Sequence, residues 1–237
     1  MKTTIIGFPR VGSLRELKFA SEAYFRREIS AEELQETAKE LRKTHWALQQ
    51  ASGIDLIPTN DFSFYDNMLD TAVLLNAIPA RYRALELSDL DTYFAMARGY
   101  QGKEGDVKAF AMKKWFNTNY HYMVPEIEDT TEIRLAGTKP FAEWKEAQAQ
   151  GICGKPVLIG PFTFLKLARF TGEKTAEDFA DAVAAAYCAY LKELNTLGAA
   201  WAQLDEPYLV MDLTKAEIAL FRQLYAKILA AKGSVRV

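Results

Sequence analysis

Apolar residues change their period several times along the chain. TTIIGF (3–8) is a short β-branched run closed by Pro9, and it predicts a first strand. Ser13 followed three residues later by Glu16 has the form of a capping box, so a helix is predicted over SLRELKFASEAYFRREI. Ser30 and Glu33 repeat that form before EELQETAKELRKTHWALQQASG, where Gly53 is placed to end the helix. IDLIPTN (54–60) predicts a second strand. An irregular, helix-containing excursion from Phe62 to about Lys113 follows, and then a third strand, TNYHYMV (118–124). KPVLIG (155–160) reads as a buried fourth strand. Thr175 opens an alanine-rich helix to Gly198, and AAWAQLDEP (199–207) is a fifth strand. LTKAEIALFRQLYAKILAAKG (213–233) is its following helix, and SVRV begins a sixth strand.

Strand, polar turn and helix in alternation predict an α/β fold with parallel strands and helical crossovers. No G-x-G-x-x-G follows a strand, which weakens a dinucleotide-binding sheet. Arg10, Asn60–Asp61, Tyr120–His121, Gly160–Pro161 and Asp205–Glu206 all fall at or just past predicted strand C-termini. In a (β/α)8 barrel those positions share the face on which sites are built. The expectation is therefore a TIM-type barrel, incomplete, with about five β/α units and the start of a sixth strand. No composition break suggests an internal boundary, and the chain end reads as a cut through a longer barrel.

The composition narrows the function. The 237 residues carry a net charge of −2, so no global basic field points to nucleic acid or to an anionic membrane. No run approaches the roughly 20 apolar residues of a membrane span. Two cysteines, Cys153 and Cys188, form no CxxC pair, which favours a cytoplasmic setting over a disulfide framework. With only two histidines besides, a zinc site made from this chain alone is not expected. His45 lies mid-helix and Cys188 reads as a small core residue.

Three stretches carry candidate chemistry. Asp205 and Glu206 in QLDEPYLV could serve as general acid or base, or one carboxylate could pair with a barrel lysine or arginine while Pro207 ends the strand. RVGSLRELK (10–18) gathers Arg10, Arg15 and Lys18 at a helix start, where free N–H groups already favour anions. KKWFNTNYHYMVPE (113–126) sets Lys113 and Lys114 before a run of alternating Asn, Tyr and His, a pattern suited to binding more than to nucleophilic attack. Two basic spots suggest a ligand with several carboxylates or phosphates.

GFPRVG, RELK, GIDLIPTNDFSFYD, KKWFNTNYHYMVPE, KPVLIGPFTFLKL and QLDEPYLV, in this order, resemble the N-terminal half of the cobalamin-independent methionine synthase family. The resemblance implies methyl transfer from 5-methyltetrahydropteroyltri-L-glutamate to L-homocysteine, without cobalamin. It implies two barrels, with zinc held through His, Cys, Glu and Cys by a C-terminal barrel that lies outside residues 1–237. It assigns no catalytic or metal residue to this segment. Matched by motif, the binders of the folate polyglutamate tail are Arg15, Glu16, Leu17 and Lys18 of RELK and Lys114 of KKWF. Lys113 stands where the family pattern suggests threonine. The expected reading is a truncated N-terminal barrel, inactive alone. Two others stay open: a naturally short polyglutamyl-folate-binding or regulatory protein, and a barrel hydrolase using Asp205 and Glu206.

Overall fold

The structure is a computed structural model describing residues 2–237. In chain order it has α1 (Glu16–Phe25), α2 (Ala31–Ala51), β1 (Ile57–Thr59), α3 (Asn67–Leu74), α4 (Ala80–Arg83), α5 (Asp89–Arg98), β2 (Tyr100–Gly102), β3 (Gly105–Val107), β4 (Met112–Lys114) and β5 (His121–Met123). There follow β6 (Glu126–Ile127), α6 (Lys139–Ala149), β7 (Gly154–Ile159), α7 (Pro161–Leu167), β8 (Arg169–Phe170), α8 (Ala176–Thr196), β9 (Gln203–Asp205), a 3-10 turn at Pro207–Val210, and α9 (Lys215–Ala231). The fold is mixed α/β. Two compact units emerge, one from the segments up to Phe64 and Lys139–Val157, the other from Tyr65–Thr138 and Leu158–Val237. This division within the chain was not expected from composition.

In the first unit β1 runs parallel to β7, with Ile57 opposite Gly154 and Thr59 opposite Pro156. Helix α2 starts with the expected capping box, Ser30 and Glu33 exchanging bonds with each other's backbone. Gly53, at φ 79°, ends it in a Schellman turn, its N–H on the Gln50 carbonyl and that of Ile54 on Gln49. Trp46 is buried with Ile57, Ala147 and Ile152, and its indole N–H reaches the Pro58 carbonyl at 3.1 Å.

The expected first strand is a correction. Residues 3–8 make only one parallel bridge, Thr4 to Leu56. The Leu56 N–H bonds the Thr3 carbonyl, and the next bond along this ladder would have to come from Pro58. Proline has no N–H, so the ladder stops there. The Ile5 carbonyl it would have met accepts from the buried Lys155 ammonium instead, at 3.2 Å.

A second correction concerns α1. It begins at Glu16, not at Ser13, and Arg15 precedes it in the left-handed conformation at φ 65° with no side-chain cap. Gly12 turns the chain at φ 83°, a conformation that strains any residue with a side chain, and the Glu16 carboxylate lies where a Cβ would sit. Glu16 accepts from the Leu14 N–H at 3.0 Å.

In the second unit the predicted third strand is also different. Of residues 118–124, His121–Met123 form the return arm of an antiparallel hairpin, with Met112 opposite Met123, Lys113 opposite Tyr122 and Lys114 opposite His121. The parallel strand is the next one, β6, paired with β8. NTNY supplies polar turn residues between the arms, and Pro125 separates β5 from β6. Helix α8 lies between Thr175 and Gly198 as expected, and it opens on a Thr175–Asp178 capping box. It packs along α9, which Thr214 and Glu217 cap in the same way. The expected sixth strand is one parallel bridge, Trp201 to Arg236. No helix among the described residues is long and apolar enough to cross a membrane.

Candidate functional site

The basic turn before α1 belongs to the first unit. Arg15 and Lys18 are exposed, and both reach over the exposed Phe19 ring, at 6.0 and 5.7 Å from its centroid. Lys18 also pairs with Glu22, one turn on, at 3.4 Å. Leu17 points the other way, into a core cluster with Ala38, Leu41 and Phe62. Its N–H is bonded to the Val11 carbonyl. Glu16, with Glu33, Glu36 and Glu40, lines an acidic cleft of about 560 Å³. The turn therefore offers cations from two side chains, while Leu17 and Glu16 hold its shape. Arg10 is half-buried nearby in sequence.

At the C-terminal end of β1 the same unit holds a buried polar network. Asn60, at φ 62°, donates from its side chain to the Val157 carbonyl and accepts from Lys139 at 2.8 Å. Its own N–H goes to Glu143, which also meets Lys139 at 3.1 Å and lies 3.9 Å from Arg42. Arg42 is committed chiefly to Glu146, at 2.7 Å. Asp61 accepts from the Phe8 N–H at 2.8 Å, yet burial pushes its carboxyl up to about 6. His45, with its ring 4.8 Å from that of Phe8, is buried, and this lowers its pKa.

The second unit presents the β4–β5 hairpin. All three β4 residues are exposed, and so are Asn117, Asn119 and His121 of the motif. Among the described residues no carboxylate pairs with Lys113 or Lys114. The tip is held by rings: Trp115 packs on Tyr122 at 5.5 Å and on Phe116 at 5.3 Å, and Phe116 faces Tyr208 at 6.5 Å. Phe116 adopts φ 53°, an unusual conformation for a large side chain that turns its ring onto these neighbours.

Behind the hairpin stands Asp66, which the sequence reading passed over. One carboxylate oxygen caps α3 by accepting from Met68 and Leu69, at 2.8 and 3.1 Å. The other accepts from the Met123 N–H of β5 at 3.0 Å. Burial pushes Asp66 up to about 7 against these three bonds, and Asp70 adds to the rise. The signal was available, an Asp directly before the apolar NML run.

Glu206 settles the carboxylate pair at the end of β9. It accepts from the Phe162 and Thr163 N–H groups at 3.0 and 2.7 Å, and from the Tyr225 hydroxyl at 2.9 Å. It is thus the anion at the N-terminus of α7, which no side chain of its own N-cap residue, Gly160, could supply. A Cβ at Gly160 would lie 2.2 Å from the Glu206 carboxyl carbon, so that glycine admits the carboxylate. Asp205 accepts from Gln203 at 2.6 Å. Glu206 is thus structural, held by two backbone N–H groups and a tyrosine hydroxyl rather than by the expected lysine or arginine, and this displaces the hydrolase reading. Cys153 and Cys188 are both free thiols, and Cys188 donates to the Lys227 carbonyl.

The family model described as cobalamin-independent synthase, N-terminal domain, matches residues 2–237. The chain belongs to that family. A 5-methyltetrahydropteroyltriglutamate–homocysteine methyltransferase of Bifidobacterium longum is 58% identical over 240 residues, 99% of this chain and 31% of that protein. One of the same description from Streptococcus suis is 58% identical over 237 residues, 100% of this chain and 32% of that protein. The chain thus spans about a third of the length of these curated relatives. A crystal structure from Listeria monocytogenes described as a vitamin-B12-independent methionine synthase shares the fold. Its TM-score is 0.62 at 16% identity, over 99% of this chain and 64% of that one.

Proposed function

We propose that this chain is the part of a methionine synthase that holds the folate tail, in an enzyme moving the methyl group of 5-methyltetrahydropteroyltri-L-glutamate to L-homocysteine. The relatives at 58% identity bear that activity in their names, and this is the observation that carries the reading. The incomplete (β/α)8 arrangement, a C-terminal barrel in the same protein and a cytoplasmic setting go with it.

In this reading Arg15, Lys18 and Lys114 meet tail carboxylates, and Glu16 and Leu17 keep the Arg15–Lys18 turn in shape. Three features support it. Arg15 and Lys18 project from a turn anchored by a buried leucine. Lys114 stands exposed, with no carboxylate partner among the described residues, on a hairpin fastened from behind. Arg adds planar, two-pronged carboxylate recognition, which a lysine lacks.

The family chemistry calls for zinc to make the homocysteine thiol a thiolate. Among the described residues no three His, Cys, Asp or Glu side chains gather in a metal-holding group, so no step is routed through zinc here. What these residues do is bind and orient the methyl donor's tail.

Lys114→Ala or Arg15→Ala in the enzyme should weaken the triglutamate cofactor about 10- to 100-fold, the loss of one charge-assisted hydrogen bond, with little change for the monoglutamate. Equal losses with both cofactors would reject the tail assignment.

A further inference from the structure

We propose that His121 is a second anion ligand beside Lys114, so that the hairpin grips one tail carboxylate between two cations. The inference rests on the tail-binding reading above and deepens it. It starts from the register, in which Lys114 stands directly opposite His121. The flanking hydrogen bonds, Trp115 N–H to the Tyr120 carbonyl and Val124 N–H to Ala111, fall one and three residues away. Lys114–His121 is therefore a non-hydrogen-bonded pair, the kind with Cα atoms only about 4.5 Å apart and side chains on one face in contact range. The same phase leaves the Met123 N–H facing away from β4, where Asp66 takes it.

Two cation-forming side chains opposite one another weaken a hairpin unless an anion joins them. Both are exposed, and among the described residues no carboxylate pairs with either. The His121 ring is already oriented, with Nδ1 3.2 Å from the Asn119 carbonyl oxygen. A carbonyl only accepts, so Nδ1 carries the hydrogen, and the neutral ring turns a lone pair outward at Nε2. That lone pair repels a carboxylate. The imidazolium instead donates from Nε2, so binding takes up one proton at that atom.

The charged and titratable groups around the ring are few. Lys114 opposes it from β4, with Lys113 on the other face, and Tyr120 and Tyr122 flank it in sequence. Asp66 and Asp70 lie on the α3 side, behind β5.

The chain contains two histidines, so its imidazole C–H resonances are few, and His121→Gln assigns them. The full chain is titrated with free tri-γ-glutamate across a pH series, by NMR and calorimetry. Expected are a raised His121 titration midpoint on binding and proton uptake near one per ligand. His121→Gln should weaken binding about tenfold on the acid side, the share of one charge-assisted hydrogen bond, and little where the ring is neutral. His121→Lys should restore binding and remove its pH dependence. If Lys114→Ala weakens binding while the His121 resonance and the His121→Gln affinity stay unchanged, His121 is no ligand and the tail reading stands. If tri-γ-glutamate does not bind, or binds regardless of Lys114, the hairpin is not the tail site and both readings fall.

Discussion

The two basic places of this chain are built on opposite principles. The turn at Arg15–Lys18 is held by an apolar anchor, Leu17, packed with Ala38, Leu41 and Phe62. Its charges are partly answered locally, by Glu22 and by the Phe19 ring. The hairpin carrying Lys114 is held by a polar anchor, a buried Asp66 carboxylate that takes N–H groups from α3 and β5 at once. Among the described residues its lysines have no such answer. An apolar anchor has no group to titrate, whereas a buried carboxylate is titratable and orders the strand it holds only while its bonds are made.

The largest effect that tests this contrast is Leu17→Ala, expected to cost about 3 kcal/mol in urea unfolding, with no change in its slope against pH. A loss under about 1 kcal/mol would mean that Leu17 does not anchor the turn. Next comes Asp66→Ala, which removes a helix cap and leaves the Met123 N–H unpaired, for about 2 kcal/mol. Amide exchange should show the hairpin loosened and the α1 turn untouched; protection lost evenly over both would blur the comparison.

The pH dependence follows from Asp66 itself. The folded carboxyl keeps its proton up to about 7, while an unfolded aspartate releases it near about 3.9. Between those values the folded state binds more protons, so this contribution is fully present below about pH 4 and is lost as the pH rises to about 7. Asp61, pushed up to about 6, acts with the same sign in the first unit. Asp66→Asn should flatten the upper part of the stability–pH curve and Asp61→Asn the lower; an unchanged upper part in the first variant would contradict the polar-anchor account.

The smallest effect is Arg15→Gly. Glycine accepts the φ of 65° that strains arginine, so stability should rise by up to about 1 kcal/mol while triglutamate affinity falls. Stability and binding moving in the same direction would show that Arg15 serves the fold rather than the ligand.

Much of this was legible in the chain. The capping boxes at Ser30 and Thr175, the glycine stops at 53 and 198 and the all-buried strand KPVLIG are local, and their signals lie within a few residues of the structure they dictate. The same logic misled at Ser13, because S-x-x-E looks alike whether the helix starts there or, as here, after two further turn residues. KPFAEWKEAQA, which forms α6, was passed over entirely. TNYHYMV was read correctly as extended but wrongly as parallel, since alternation shows that a strand exists and not which partner it has. The Glu206 carboxylate could not be assigned from spacing, as its partners at 162, 163 and 225 are remote along the chain.

Sequence by itself determined helices α2, α8 and α9 with their caps, the α/β class, the low net charge and the family to which the chain belongs. These depend on backbone propensity, short-range hydrogen bonding and composition, all local quantities. Only the tertiary structure decided that Pro58 would end the first ladder, that Glu206 would cap a helix, and that Lys114 would face His121 across a hairpin fastened by Asp66. Each of these depends on which distant donor meets which acceptor once the chain is closed, and a one-residue slip in register would change every such pair.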